Sequence, residues 1–309
     1  LGWLAPYSMM TWAHLYVLII FARYLRELLY RSTENDQNKR PAHRTVDRSV
    51  LLRIPYQKIY RIPVILTANL RSISNKVDEL QYVAECNNVD AVCISESWLS
   101  PQISDSVVAI PGYNLFRNDR MSTPGGGVCI YLRETIPCTR LFQCICEQPD
   151  VESLWLSLRP HSLPRSISSI VLCVVYHSTA NGQPENVVLS NHIRSNLDSL
   201  LMKQPNALVV IAGDFNPRST GLKPKDLTQP NNLKQIVKFR TRDTRTLDWF
   251  LTNRPDIFNL FQLPKIARSD HFTILAKPIT TTDAFTHNPK SVSARFSGQC
   301  MACVWPLAD

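Results

Sequence analysis

Between residue 63 and about residue 279 the chain alternates short apolar runs with polar turns. The runs at 64–68, 90–95, 127–131, 153–158, 170–176, 207–212, 246–252 and 272–276 are mostly apolar at successive positions. A strand that is apolar on both faces belongs inside a sheet covered on both sides. Two stretches carry the helical period instead. At 75–86, Val77, Leu80, Val83 and Ala84 share one face, with Asp78 and Glu79 in the first turn. At 185–202, Leu189, Ile193, Leu197 and Leu200 are in register. Strands outnumber helices, which predicts an α/β (α+β) fold of two packed sheets with helices outside. After Pro278 the pattern fades into Thr, Ser and Asn, so the globular domain is expected to span 61–279.

The flanks read differently. Residues 1–30 are apolar, and 3–22 hold no Asp, Glu, Lys or Arg. Pro6, Ser8, Thr11 and His14 interrupt that run, and no basic region precedes it. A short apolar helix is expected there, with a membrane span the weaker reading. Residues 31–60 are polar and basic, as in a flexible linker or arm, and 280–309 are expected to form an unstructured tail.

Composition narrows the classes. With 44% apolar residues in 309, the chain can bury a sizeable core. A wholly disordered chain, a fibrous repeat and a polytopic membrane protein are excluded. A net charge of +9 suggests a polyanionic partner. Counted by region, residues 1–61 carry +6 and residues 62–309 only +3, so bulk charge says little about the domain itself. Nine Cys, several inside apolar runs, fit reduced thiols in a nuclear or cytoplasmic protein. Cys300 and Cys303 form a CxxC without a second ligand pair, and no metal site is expected there.

Candidate chemistry collects at the ends of the predicted strands, where α/β scaffolds display reactive groups on rigid supports. Asn69, Glu96 and Tyr176 close three of them, Asp214 and Asn216 follow a fourth, and Asp270 and His271 precede the last. Asp214 and Asn216, two apart on extended chain, can face the same side. There a carboxylate could accept a proton while an amide holds water or a phosphate oxygen; a simple turn is the plainer reading. A His beside an acid, as in Asp270-His271, can be fixed in one tautomer or kept protonated, and either suits phosphate chemistry. Asp248 lies in an otherwise apolar run and needs a partner if buried, for which His271 is a candidate. Gly125–Gly127 precedes a strand, with no helix after it. It reads as a turn needing unusual backbone angles rather than a phosphate-binding loop.

Taken in order, several segments resemble the endonuclease/exonuclease/phosphatase superfamily, and more narrowly the apurinic/apyrimidinic-type endonuclease domain of non-LTR (LINE-type) retrotransposons. They are Asn69-Leu70-Arg71-Ser72 with Asn75-Lys76, Ser95-Glu96-Ser97-Trp98-Leu99, Gly125-Gly126-Gly127-Val128, Val175-Tyr176-His177, Gly213-Asp214-Phe215-Asn216, Thr246-Leu247-Asp248 and Ser269-Asp270-His271. The resemblance covers roughly 63–279 and implies a deoxyribonuclease-like four-layer α/β sandwich, two packed mixed sheets flanked by helices. It implies that Glu96 is the main ligand of a divalent ion, Mg²⁺ with Mn²⁺ as the alternative, with Asn69 and Asp270 completing or orienting the metal site. Asp214 would activate water, Asn216 position it, and His271, oriented by Asp248, bind the scissile phosphate. Tyr176 would touch the phosphate or leaving oxygen, and Ser269 would support the set. The implied reaction is DNA nicking that leaves a 3′-hydroxyl for primed reverse transcription, with a reverse transcriptase as a further partner. Two alternatives stand beside it: an inositol-phosphate or sphingomyelin phosphohydrolase of the same superfamily, and an inactive nucleic-acid-binding remnant of a truncated element.

The chain departs from the family at 239–245, where a Pro often found ahead of the Thr-Leu-Asp segment is missing. Relatives carry a DNA-probing hairpin in this region. Arg240, Arg242 and Arg245, together with Arg71, are the DNA-contacting candidates, against the plainer reading of a solvated basic turn. Replacing Arg240, Arg242 and Arg245 together by Ala is expected to weaken DNA binding and flatten its dependence on salt, measured by fluorescence anisotropy across a salt series. Unchanged binding would leave the basic loop without a role in DNA contact.

Overall fold

The computed structural model describes residues 62–279, apart from 122, 145–150 and 181. The expectations for 1–30, 31–60 and 280–309, and for Cys300 and Cys303, lie outside the described residues. In chain order the elements are β1 (Ile65–Asn69), α1 (Val77–Cys86), β2 (Ala91–Ser95), β3 (Tyr113–Asn118), β4 (Val128–Arg133), β5 (Cys138–Arg140), β6 (Glu152–Leu158) and β7 (Ile170–Tyr176). There follow α2 (Gln183–Lys203), β8 (Leu208–Asp214), the short helices α3 (Pro217–Thr220) and α4 (Pro224–Thr228), then β9 (Lys234–Gln235), β10 (Asp248–Thr252), β11 (Phe258–Leu263) and β12 (Thr273–Pro278).

The strands form two six-stranded mixed sheets, in the orders β11-β12-β1-β2-β4-β3 and β5-β6-β7-β8-β10-β9. Each sheet has one parallel pair at its centre, β1 with β2 and β7 with β8, and antiparallel neighbours on either side. A parallel pair needs a crossover, and α1 and α2 supply the two. Side chains alternate across each strand, so every central strand feeds two layers of core. Ile65, Cys93, Ile130, Leu156, Leu172, Val210 and Phe250 fill the space between the sheets. Leu66, Val92 and Ile94 meet Leu80 and Ala84 of α1 on one outer face. Trp155, Val171, Val209 and Trp249 meet Leu189, Ile193 and Leu197 of α2 on the other. The result is a helix–sheet–sheet–helix sandwich, and it explains the continuous apolar runs.

The strands without a counterpart in the sequence reading are β3, β5, β9 and β11, which stand at or next to sheet edges. The sequence of β11, FNLFQL, is mostly half-buried or exposed, and β3 is buried only at Tyr113. A strand with one wet face and one open edge has no continuous apolar run to reveal it. The described cysteines are free, with Cys93, Cys129, Cys144 and Cys173 buried, and burial pushes the Cys93 thiol up to about 12. Among the described residues no helix is long and apolar enough to cross a membrane.

Gly213 belongs to a strand rather than to the turn that follows it. It lies inside β8 at φ +139°, and any side chain there would overlap the carbonyl of Val175 on β7. The missing Cβ lets β7 and β8 approach just where the strands deliver Tyr176 and Asp214. Gly213→Ala is therefore expected to cost at least about 3 kcal/mol, from backbone overlap plus an unfavourable φ, read from urea denaturation midpoints. A loss under about 1 kcal/mol would mean the strands can move apart freely.

Candidate active site

Strand register gathers the candidate residues at one end of the two sheets. Asp214, the last residue of β8, pairs with Tyr176 on β7 and with Asp248 on β10. In the other sheet Asn69 ends β1 opposite Ser95, and Glu96 follows directly. His271 stands two residues before β12, which pairs with β1. All but Glu96 and Asp270 are buried.

At the centre His271 Nδ1 lies 2.7 Å from Asp248 Oδ2. With the proton on Nδ1, this bond turns Nε2 toward Asp214 Oδ2 at 4.0 Å and Asp270 Oδ1 at 3.9 Å. Those gaps are too long for hydrogen bonds, and His271 Nε2, Asp248 Oδ1 and Asp270 Oδ1 are buried without a partner. Buried polar atoms are nearly always satisfied, so three orphans in one spot mark a place that receives something polar. Burial works against a charge on His271, but the carboxylates of Asp248, Asp214 and Asp270 outweigh it and lift its pKa to about 9. Burial, reinforced by the charge of Asp248, lifts Asp214 to about 7, although His271 and the Asn69 amide pull the other way. An imidazolium thus faces a carboxyl group poised near neutrality.

Asn69 ties the two sheets together. Its Nδ2 donates to Glu96 Oε1 at 2.9 Å and to Asp214 Oδ2 at 2.8 Å, while its Oδ1 accepts from the Arg71 backbone at 3.2 Å. Ser269 Oγ donates to the Asn69 carbonyl at 2.6 Å and accepts from the His271 backbone at 3.1 Å, so it locks β1 to the His271 loop. Asn216, in the left-handed region at φ +43°, donates its backbone N–H to Asp214 Oδ1 and its Nδ2 to the His177 carbonyl. It grips Asp214 from the far side. Tyr176 keeps a buried ring with the Arg120 guanidinium 5.5 Å from its centroid, and burial pushes its phenol well above the usual range.

Asp270 is held differently from the other acids. Arg242 Nη2 reaches its Oδ2 at 2.7 Å and Arg71 Nη1 at 3.3 Å. Burial works to raise the pKa of Asp270, but His271, Arg242 and Arg71 hold it below the usual carboxylate range. Two of the four DNA-contacting candidates are therefore ion-paired at the site, while Arg240 and Arg245 are exposed. The loop carrying them is a tight hairpin, with Arg242 bridged to Arg245 and Asp243 at φ +50°.

Several supports escaped the sequence reading. Glu152, at the start of β6 and only 5% exposed, accepts from the Arg120 fork and from the backbone N–H of Gly127. It pairs with Tyr176 across the sheet. Its signal is weaker than that of Asp248, because Glu152 precedes the apolar run 153–158 whereas Asp248 lies inside 246–252. Thr241 Oγ1, fully buried, accepts from the backbone of Leu247 and Asp248 at 2.9 and 3.0 Å and fixes the start of β10. Lys76 Nζ donates to the carbonyls of Leu70 and Arg71 and steadies the loop after Asn69. Gly125, Gly126 and Gly127 all have positive φ, and a side chain at Gly126 would overlap the Arg120 guanidinium.

A divalent cation fits the donor set. Carboxylates from four strand ends gather here, and Asp248 Oδ1 and Asp270 Oδ1 are buried without a partner, as hard-cation ligands would be. Asp214, Asp248 and His271 offer ligand atoms within 4.8 Å of one another. In that trio the imidazole is committed to Asp248 and protonated, which suits an anion partner better than a metal bond.

The four-layer sandwich and the cluster of strand-end acids, amide and histidine define a protein with the endonuclease/exonuclease/phosphatase fold. No family model matches the chain, and no curated protein matches it. Solved structures do. The endonuclease domain of TRAS1, a telomere-specific non-LTR retrotransposon, is similar at TM-score 0.53 and 13% identity over 70% of this chain and 98% of that one. The AP endonuclease LMAP from Leishmania major matches at TM-score 0.52 and 17% identity, over 77% and 92%. The human Nocturnin catalytic domain matches at TM-score 0.52 and 14% identity, over 72% and 96%. At these identities the likeness is one of fold.

Both perturbed groups titrate above their ordinary values of 3.8 and 6.5, so the metal-free folded site holds more protons than the unfolded chain between pH about 4 and 9. Stability is then expected to fall as pH rises, first through about 7 as Asp214 ionises and then through about 9 as His271 loses its proton. Imidazole NMR of the metal-free chain should give a His271 midpoint near 9. In Asp248→Asn the midpoint should drop by at least about two pH units as burial takes over. A parental midpoint at or below 6.5 would contradict the assignment of the proton.

Proposed function

We propose that the chain is a divalent-metal-dependent phosphodiester hydrolase that nicks DNA and leaves a 3′-hydroxyl, as a retrotransposon-type endonuclease would. The single observation that carries this reading is the buried, unpartnered His271 Nε2, held protonated by Asp248 beside a near-neutral Asp214. A phosphoryl oxygen is the natural partner for that N–H. Asp214 takes a proton from the attacking water as the water oxygen bonds to phosphorus and the bond from phosphorus to the 3′-oxygen breaks, and the 3′-oxygen leaves with the bonding pair and takes a proton from solvent. His271 donates to a non-bridging oxygen and so stabilises the charge that builds up there. Asn216 holds Asp214 from behind, and the Tyr176 hydroxyl contacts the phosphate or the leaving oxygen. Glu96, with Asp270 and with Asn69 orienting it, would hold Mg²⁺ or Mn²⁺, which supplies further charge stabilisation at the phosphate. Arg71, Arg242, Arg240 and Arg245 would engage neighbouring phosphates. The TRAS1 likeness and the ordered motifs favour the retrotransposon role, with a reverse transcriptase as its partner activity.

Supercoiled plasmid nicking with Mg²⁺ tests the reading. The full chain should convert supercoiled to open-circular DNA, and EDTA should stop it. Asp214→Ala and His271→Ala should each lower kcat by about 10²–10⁴-fold, the range for loss of a general base or of an oxyanion donor. Nicking by either variant at the parental rate would refute the mechanism. Absence of nicking by a folded parental chain would favour an inactive remnant.

A further inference from the structure

Trp98 has no role in the chemistry above, yet its placement is unusual. It is 40% exposed, whereas Trp155 and Trp249 are almost wholly buried. Its backbone is left-handed at φ +54°, and Glu96, two residues earlier, is left-handed at φ +52°. Such angles are costly for a residue with a bulky side chain and persist only where the surroundings impose them. Here they do. Ser97 and Trp98 donate backbone N–H groups to the carbonyls of Gly127 and Gly126, and Ser72 and Ile73 donate to the carbonyls of Glu96 and Ser97. The indole lies against Gly125, where an added Cβ would stand 3.5 Å from Nε1. Its Nε1 donates to Glu96 Oε2 at 3.1 Å. One edge of the ring is thus pinned to a site carboxylate, while the residue as a whole stays 40% exposed.

We infer that Trp98 is a specificity-determining contact, a fixed aromatic platform for the nucleotide flanking the scissile phosphate, and that through the same indole it positions Glu96. This rests on the DNA-hydrolase reading. An aromatic face packs on a deoxyribose, or on a base where one is unstacked, so it strengthens DNA binding without demanding a sequence. Because the ring is anchored to Glu96, the nucleotide it holds is set at a constant distance from the reacting phosphate. The two duties separate chemically. Phe keeps the face and loses the N–H; Ala loses both.

The test uses the full chain, a fluorescein-labelled duplex oligonucleotide and a small diester without nucleotides, bis(p-nitrophenyl) phosphate. In EDTA, where no cleavage occurs, Trp98→Ala should weaken oligonucleotide binding about 10-fold, and Trp98→Phe should bring it back to within about threefold of the parent. The parental chain should lose tryptophan fluorescence on binding unlabelled duplex, and Trp98→Phe should lack most of that quench. With Mg²⁺, kcat should fall in both variants, because Glu96 loses the indole donor in both and keeps only the Asn69 amide. Only Trp98→Ala should lose more activity on DNA than on the small diester. If parental DNA nicking is intact but Trp98→Ala binds as tightly as the parent, or loses both substrates equally, the platform is refuted and the hydrolase reading stands. If the parental chain binds DNA with the Trp98 quench but never nicks, the hydrolase reading fails and the contact survives. Absence of DNA binding by the parent overturns both.

Discussion

Like charge crowded into a dry place is the constraint on which this structure turns. Glu96, Asp214, Asp248 and Asp270 arrive from four strand ends at one end of the sandwich, and two of them are almost fully buried. Unpaired carboxylates in such a place would each cost several kcal/mol. The protein answers locally. His271 takes a proton and leans on Asp248, the Asn69 amide spans Glu96 and Asp214, and Arg71 with Arg242 covers Asp270. Asp214 gets amide donors from Asn69 and Asn216 but no cation within hydrogen-bond reach, and burial together with the charge of Asp248 raises its pKa. The fold therefore stores a basic carboxylate rather than neutralising it, which is what proton abstraction from water requires.

Most of what holds this cluster is not in the cluster. Gly213 lets β7 and β8 close up, so Tyr176 and Asp214 can sit side by side. Thr241 anchors the first residue of β10, and so the Asp248 carboxylate that aims His271. Ser269 bolts the loop before β12 to the end of β1. Each support is a short polar side chain or a missing one, and each acts on backbone rather than on another side chain. Backbone attachment suits a site whose charged members must keep their geometry while the charge on them changes.

The sequence disclosed the centre of this arrangement better than its rim. β1, β2, β7 and β8 are buried on both faces, so their apolar runs and the polar residues that end them stand out. Asp248 could be matched to His271 because a lone acid in an apolar run needs a partner. β3 and β11 escaped because an edge strand obeys no single period. Glu152 stands directly before the apolar run 153–158, yet its role does not show there. Its partners, Arg120 and the Gly127 amide, come from an irregular loop whose folding cannot be inferred from periodicity. The pairing of Arg71 and Arg242 with Asp270 joins residues 71, 242 and 270, a long-range contact that no local pattern encodes.

That last pairing recasts the charge of the protein. The domain side of the chain has a net charge of only +3, so attraction of a polyanion cannot rest on bulk basicity. What the site has instead is cations already placed by acids. Arg71 and Arg242 are oriented by Asp270, Arg120 by Glu152, and His271 by Asp248. A guanidinium held in position loses less side-chain entropy when a phosphate arrives than a free one does. Each acid that fixes a cation also weakens its field at a distance. The trade favours an anion that comes close and fits over one that is merely nearby, and for a strand end only a few residues wide, selecting for fit matters more than reach.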